Sequence, residues 1–206
     1  HSLGEKEIGA VCAINSGTVS GSYPEGNVTL QGNASIFGGV TGRNTGTVAV
    51  ITLTSMPAID ATKSKLTVGG AVGANEAIIT QIVAKDLKFA KFSGYRYLGG
   101  ITGTNGGSGK TTAGVSDCVY SGTMTEKTGA AGNCYGGIAG INYATLSGCE
   151  ITKITMEIKG VYTATSTSTA AQKESLASHA GGITGKNETS ATITSCVIDN
   201  NPDSRI

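Results

Sequence analysis

The acidic and histidine side chains of this chain are spaced in a way that does not predict a catalytic site. Its 14 aspartate and glutamate residues include no pair at equivalent positions of neighbouring repeats, an arrangement that two-carboxylate chemistry favours. His1 and His179 are isolated, and neither an HExxH nor a GxSxG motif occurs. We therefore predict no enzymatic activity, no catalytic residue, no metal site and no cofactor. A polysaccharide lyase or hydrolase stays open as an alternative, because strand-rich repeat folds can carry carboxylate sites on one face.

The segment TNGGSGKT at residues 104–111 is close to the phosphate-binding loop pattern GxxxxGK(S/T). It departs at Thr104, which stands where the pattern has its first glycine. The residues that follow, GVSDCVYSG, have the pattern of a strand, whereas a phosphate-binding loop leads into the N-terminus of a helix. We therefore interpret 106–113 as a flexible loop inserted at a corner, and we retain Lys110 only as a candidate for a binding surface.

Aromatic and basic side chains cluster in the segment SGYRYLGG, which contains Tyr95, Arg96 and Tyr97. Tyrosine rings stack on the faces of sugars or anchor a protein partner, so these three residues are candidates for a binding surface. A second interpretation is that Tyr95 and Tyr97 cover a corner of the fold. Insertions in repeat proteins often build the contact face, so the insertions near 106–113 and 162–179 are also candidates.

The chain has five cysteines, and three of them, Cys118, Cys149 and Cys196, occupy the same position in three consecutive repeats. One interpretation is a column of small buried thiols in the core, since cysteine is among the most buried residue types. The other is a disulfide between stacked neighbours. Cys12 and Cys134 lie outside this column, and we predict no pairing for them.

A short sequence motif, called the phrase below, occurs six times and defines the elements that must position these side chains. The copies read GAVCAIN, GGVTGRN, GGAVGAN, GGITGTN, GGIAGIN and GGITGKN, and they begin at residues 9, 38, 69, 99, 136 and 181. Units of this length cannot bury their own apolar faces and must stack on their neighbours. Because β-branched residues dominate and helical periodicity is nearly absent, we predict an all-β, right-handed parallel β-solenoid of about six coils forming a single domain over 1–206.

Equivalent positions in the repeats predict the parts of each coil. Three columns outside the phrase carry mostly apolar side chains and predict short strands facing a core. The three columns are Val19, Val48, Ile79, Val115, Leu146, Ile193; Ser22, Ile51, Ile82, Cys118, Cys149, Cys196; and Pro24, Leu53, Ala84, Tyr120, Ile151, Ile198. Between the first two lies a column rich in turn formers, which we interpret as a corner: Gly21, Val50, Gln81, Asp117, Gly148, Ser195.

Within the phrase, one apolar column is predicted to fill the interior: Val11, Val40, Ala71, Ile101, Ile138 and Ile183. The terminal asparagines are predicted to form a hydrogen-bonded ladder between stacked coils: Asn15, Asn44, Asn75, Asn105, Asn142 and Asn187. The column before the glycine pair has two possible orientations: Ile8, Phe37, Val68, Leu98, Tyr135 and Ala180. Strict alternation would turn it outward as a docking surface, and a bend at the glycines would turn it into the core.

Composition and charge exclude several classes of partner. The formal net charge is +1 and the basic residues are scattered, so we predict no binding to nucleic acid. No apolar run of about 18 residues occurs, so we predict no membrane insertion, and we expect a soluble mature or excised piece. The sequons at Asn27, Asn33 and Asn187 are acceptors in a host that attaches glycans, although Asn187 also belongs to the predicted ladder.

The phrases GGVTGRNTGTV, GGITGTN, GGIAGINYATLSGCEI and GGITGKN resemble the GLUG motif, a glycine-rich repeat of bacterial and archaeal surface proteins. That repeat is also found outside the protease domain of some IgA-cleaving metallopeptidases. The resemblance covers nearly the whole chain and implies a secreted or surface-displayed β-solenoid without implying an activity. The first copy departs from the pattern, because Ala10 and Ala13 replace two of its glycines.

These observations lead to a prediction of function. We expect a non-enzymatic, extracellular or cell-surface module with a structural or adhesive role, either as a spacer or as a binding surface for a host glycan or protein. Its partners would be other domains of a larger surface protein or copies of itself. The main alternative is a subunit that assembles into an extracellular filament or sheath, because neither end of the repeat array has an obvious cap.

Overall fold

The chain folds into a stack of six coils. The computed structural model describes residues 6–21, 29–61, 65–92, 94–107, 112–127, 132–159 and 178–199. All strand pairings within these residues are parallel, and each coil pairs with the next coil along the chain. The predicted all-β parallel solenoid is confirmed. We number coils 1 to 6 by the copies of the phrase that begin at residues 9, 38, 69, 99, 136 and 181.

Three long sheets run along the stack. The first sheet is formed by Glu7–Gly9, Ile36–Gly38, Leu66–Gly69, Tyr95–Gly99, Cys134–Gly136 and His179–Gly181. The second sheet is formed by Cys12–Asn15, Thr41–Asn44, Val72–Asn75, Thr102–Asn105, Ala139–Asn142 and Thr184–Asn187. The third sheet is formed by Thr18–Ser20, Thr47–Leu53, Ile78–Phe92, Gly114–Ser116, Val119–Glu126, Thr145–Ser147, Glu150–Glu157, Thr192–Thr194 and Val197–Ile198. Thr29–Gly32 and Ala58–Ala61 form a separate pair.

The predicted corner is confirmed by the backbone of all six of its residues. Each has a φ angle between 52° and 112°, and four of the six residues are not glycine: Val50, Gln81, Asp117 and Ser195. A β-branched residue such as Val50 is rare in this region, so the surrounding coils must impose the conformation. The corner therefore turns the third sheet at the same point in every coil.

Inside the stack, the predicted apolar columns form one continuous core. Val40, Ala71, Ile101 and Ile138 are fully buried, as are most central members of the columns in the third sheet. The column before the glycine pair also faces the core, since Phe37, Val68, Leu98 and Tyr135 are completely buried there. The glycine pair bends the chain and interrupts the alternation of sides, so the outward docking stripe is excluded at these four positions.

The end coils depart from the predicted burial. Val11, expected in the interior, is 46% exposed, and Ile183 is only partly buried. In coil 6, Ile193 and Ile198 are exposed as well. The physical reason is that, in the part of the chain that the structure describes, these side chains have a neighbouring coil on one side only. Ser22 and Pro24, predicted for the same columns in coil 1, lie outside the described residues.

The asparagine ladder is present through all six coils. The Nδ2 atom of each asparagine donates to the Oδ1 atom of the next: the five distances, from Asn15 to Asn187, are 2.8, 2.9, 2.9, 2.8 and 2.7 Å. Asn44, Asn75, Asn105 and Asn142 are fully buried. Because each buried amide is paired in both directions, the ladder offsets the cost of placing polar groups in the core.

The cysteine column consists of free thiols. Cys118 and Cys149 are buried in the core, whereas Cys196 is partly buried in coil 6. The Cys118 thiol donates to the Ser116 carbonyl at 3.1 Å, and its hydrogen bond with Cys149, together with burial, raises its pKa. The interpretation as packed thiols therefore describes this structure. Neither Cys12 nor Cys134 takes part in a disulfide within the described residues.

Candidate functional site

The segment SGYRYLGG, which we predicted to contribute to a binding surface, lies at the start of the strand Tyr95–Gly99. This strand belongs to the first sheet and to coil 4. Pairing with coil 3 joins Tyr95 to Leu66 and Tyr97 to Thr67, so the strand gains one extra residue, a β-bulge, around Arg96. A bulge disturbs the alternation of sides. As a result, Tyr95 packs against the core, whereas Tyr97 faces outward into a groove.

The two interpretations of these tyrosines therefore apply to different residues. Tyr95 covers the core, and burial raises its pKa to about 12. Tyr97 is half-buried, and the guanidinium of Arg96 lies 5.0 Å from the centre of its ring, in cation–π geometry. Tyr97 and Arg96 remain candidates for a binding surface.

Other predicted contact residues lie outside the described part of the chain. These are Lys110, residues 108–111 of the first insertion, and residues 162–177 of the second. The residues that follow the glycine-rich segment form the strand Gly114–Ser116 and not a helix, which agrees with our rejection of a phosphate-binding loop. Asn27 lies outside the described residues, Asn33 is exposed, and Asn187 accepts the hydrogen bond from Asn142.

Tyr97 belongs to a groove between the first and second sheets, with a volume of about 210 Å³. The groove is lined by Ile36, Arg43, Thr67, Ala74, Glu76, Tyr97, Thr104, Gly106, Gly107 and Tyr143. This volume is below the range of roughly 300–1,000 Å³ that is usual for small-molecule sites. The groove therefore fits a group the size of one side chain or one sugar ring.

The coil register explains why these residues meet. Three outward columns line the groove, and each supplies residues from consecutive coils. The first column contains Ile36, Thr67 and Tyr97; the second contains Arg43, Ala74 and Thr104; the third, one residue past each ladder asparagine, contains Glu76, Gly106 and Tyr143. Stacking thus builds the groove from neighbours within each column that are 30 or more positions apart in the sequence.

One wall of the groove carries a compensated charge cluster. The Nε atom of Arg43 donates to Glu7 Oε1 at 2.8 Å, and its Nη1 atom donates to Glu76. Burial alone would lower the pKa of the Arg43 guanidinium, but the hydrogen bonds to Glu7 and Glu76 raise it above its ordinary value. The guanidinium stays charged and is held in place by both carboxylates.

Two tyrosines supply aromatic surface and hydroxyl groups to the same groove. Burial raises the pKa of Tyr97, and it raises the pKa of Tyr143 to about 12. Both side chains are therefore neutral phenols at neutral pH, and each offers an O–H donor beside an apolar ring. Thr67 and Thr104 add two further hydroxyl groups. The groove is suited to a neutral ligand that has many hydroxyl groups.

The carboxylate in the lining of the groove is that of Glu76, and it forms an ion pair with Arg43. Among the described residues, no group of three or more His, Cys, Asp and Glu side chains is placed to hold a metal ion. The described part of the chain also has no helix with the length and apolar character needed to cross a membrane.

Sequence reasoning missed three residues of this groove: Arg43, Glu76 and Tyr143. Each belongs to a column whose residue type varies from coil to coil, so a search for repeated columns passes over it. The available signal was the set of positions that lie one residue before, or one residue after, the ladder asparagines. Comparisons of the chain with known protein families, with curated proteins and with solved structures found no match.

Proposed function

We propose that this chain is a non-enzymatic, extracellular or cell-surface β-solenoid module with a structural and adhesive role, and that its groove binds a neutral glycan. The observation that supports the binding role is the placement of Tyr97 and Tyr143 with Thr67 and Thr104 around one cavity. Sugar recognition uses aromatic rings for the apolar faces of the ligand and hydroxyl groups for its polar edges. The resemblance of the repeats to the GLUG motif supports the surface location.

Charge supports a neutral ligand over an anionic one. Arg43 is the cationic residue of the groove lining, and Glu7 and Glu76 already neutralise it. An acidic sugar would have to displace one of these carboxylates from a half-buried ion pair, which costs free energy. We therefore expect hexoses and N-acetylhexosamines to bind in preference to uronic and sialic acids.

The test is a glycan array followed by isothermal titration calorimetry with the best neutral oligosaccharide. We expect Tyr97→Ala and Tyr143→Ala to weaken binding at least tenfold, about 1.4 kcal/mol, without lowering the melting temperature. Tyr97→Phe should retain most of the affinity if the ring carries the contact. Lys88→Ala, on an exposed position of the third sheet, serves as the matched control.

Two results would contradict the proposal. Affinity for neutral glycans that is unchanged in both tyrosine variants would exclude the groove as the site. Release of new reducing ends or of unsaturated sugars, when the chain is incubated for a long time with the oligosaccharide, would show enzymatic activity. That result would favour the polysaccharide lyase or hydrolase alternative. The surface location is tested separately, by labelling intact source cells with an antibody against this chain; absence of labelling without permeabilisation would contradict it.

A filament or sheath subunit is the second candidate function. It is favoured by the apolar side chains exposed at the two ends of the stack, which are Val11 and Ile14 in coil 1 and Ile193, Val197 and Ile198 in coil 6. Open solenoid ends of this kind must be covered, paired or tolerated. Which of these applies depends on whether one copy can stack on another.

A further inference from the structure

The third glycine of the phrase has a steric role that repeats from coil to coil. In coils 2 to 6 this glycine faces the preceding coil. A Cβ atom at this position would approach a backbone atom of that coil to between 2.5 and 2.8 Å; the glycines are Gly42, Gly73, Gly103, Gly140 and Gly185. Contacts below 3.0 Å with backbone are not seen for real Cβ atoms, so one coil or the other would have to move. Stacking onto a preceding coil therefore requires glycine here.

Coil 1 has alanine at this position. Cys12 pairs with Thr41 and Ile14 pairs with Arg43, so Ala13 stands level with Gly42. Ala13 is exposed, and from its register with Gly42 we infer that its Cβ atom faces the place that a preceding coil would occupy. The same methyl group that would clash inside the stack is tolerated at this edge, because Ala13 is exposed there.

Apart from Ala13, the two ends of the stack are complementary. Continued stacking would place Val11 against Ile183 and Val19 against Ile193 of another copy, the same columns that form the core. The ladder would also continue, since the Nδ2 atom of each asparagine donates toward the following coil and Asn15 lies at the accepting end. Among the described residues at the two ends, the methyl group of Ala13 thus opposes head-to-tail stacking in this register.

We propose that Ala13 is a steric stop that prevents a second copy of this chain from stacking head to tail on coil 1. Within the described residues, the outer edge of coil 6 carries the glycine pair Gly181–Gly182 and fits a coil that has glycine at its third phrase position. The first coil of another copy does not meet that requirement. A single methyl group would thereby block the pairing of strands at an exposed sheet edge. The steric stop does not depend on the groove or its ligand, and it argues against an end-to-end filament as the second candidate function.

The test compares sedimentation velocity of the full 206-residue chain over a concentration series for wild type, Ala13→Gly and Ala13→Ser. We expect wild type and Ala13→Ser, which keeps a Cβ atom, to remain monomeric. Ala13→Gly should form species that grow with concentration and that negative-stain images show as rods longer than the monomer. Adding Ile193→Lys at the coil 6 edge should return the Ala13→Gly protein to the monomer, because it places a charge on the stacking face.

Two outcomes would overturn the proposal. Head-to-tail rods formed by the wild-type chain would show that Ala13 does not block stacking. An Ala13→Gly protein that has the wild-type circular dichroism spectrum and melting temperature but stays monomeric at every concentration would show that another feature closes this edge. Lateral association that Ile193→Lys leaves unchanged would likewise contradict head-to-tail stacking as the mode of assembly.

Discussion

The core-facing and groove-facing columns of the same coils contrast sharply in how far they repeat. Along the core-facing column, Val40, Ala71, Ile101 and Ile138 keep one apolar character and are all fully buried. Along the groove-facing column of the first sheet, the paired residues are Ile36, Thr67, Tyr97 and Cys134. The fold thus requires the same type of residue in every coil only where the side chains pack in the core. The columns that are free of this requirement give one part of the stack its own chemistry.

Core-facing and exposed positions should differ most in their response to a charged substitution, because a charge at a buried core position should unfold the chain. Ile138→Asp places an unpaired carboxylate between coils 4, 5 and 6, and the expected cost is roughly 3–5 kcal/mol; Ile101→Asp should act in the same way. Val50→Asp is the control, since Val50 is 58% exposed and aspartate tolerates its positive φ. Thermal unfolding followed by circular dichroism measures both. A native melting temperature in Ile138→Asp would contradict the core assignment.

The ladder should be more sensitive than the groove to loss of a polar side chain. Asn75→Ala removes the amide that accepts from Asn44 and donates to Asn105, both at 2.9 Å. Leaving these buried partners unsatisfied should cost about 2–3 kcal/mol. Thr104→Ala in the groove should change stability by less than about 0.5 kcal/mol. Urea denaturation compares the two variants, and equal stabilities would mean that the ladder contributes little.

One core position should gain stability from losing its polar atom. The hydroxyl of Tyr120 is buried without a hydrogen-bond partner among the described residues. Tyr120→Phe should therefore stabilise the chain by about 1 kcal/mol. Tyr143→Phe in the groove should leave stability unchanged. Differential scanning calorimetry gives both shifts, and a lower melting temperature for Tyr120→Phe would show that its hydroxyl has a partner after all.

The same contrast explains how much the sequence could predict. Repeated positions revealed the coils, the corner and the ladder, because each coil imposes the same requirement on its neighbour. The direction of Phe37 could not be read from alternation, since the glycine pair bends the chain beside it. The groove was hidden because Arg43, Glu76 and Tyr143 come from three coils and belong to columns whose residue type varies from coil to coil. The bulge that separates Tyr95 from Tyr97 also leaves no periodic signal.

A two-dimensional ¹⁵N NMR titration of the wild-type chain with a neutral oligosaccharide tests most directly whether the core-facing columns hold the fold and the groove-facing columns bind the ligand. The account predicts shifts confined to groove amides such as those of Thr67, Thr104 and Gly106. The side-chain amides of Asn44, Asn75, Asn105 and Asn142 should exchange slowly with solvent and stay unperturbed. Rapid exchange of these four amides, or ligand-induced shifts that avoid the groove, would contradict it.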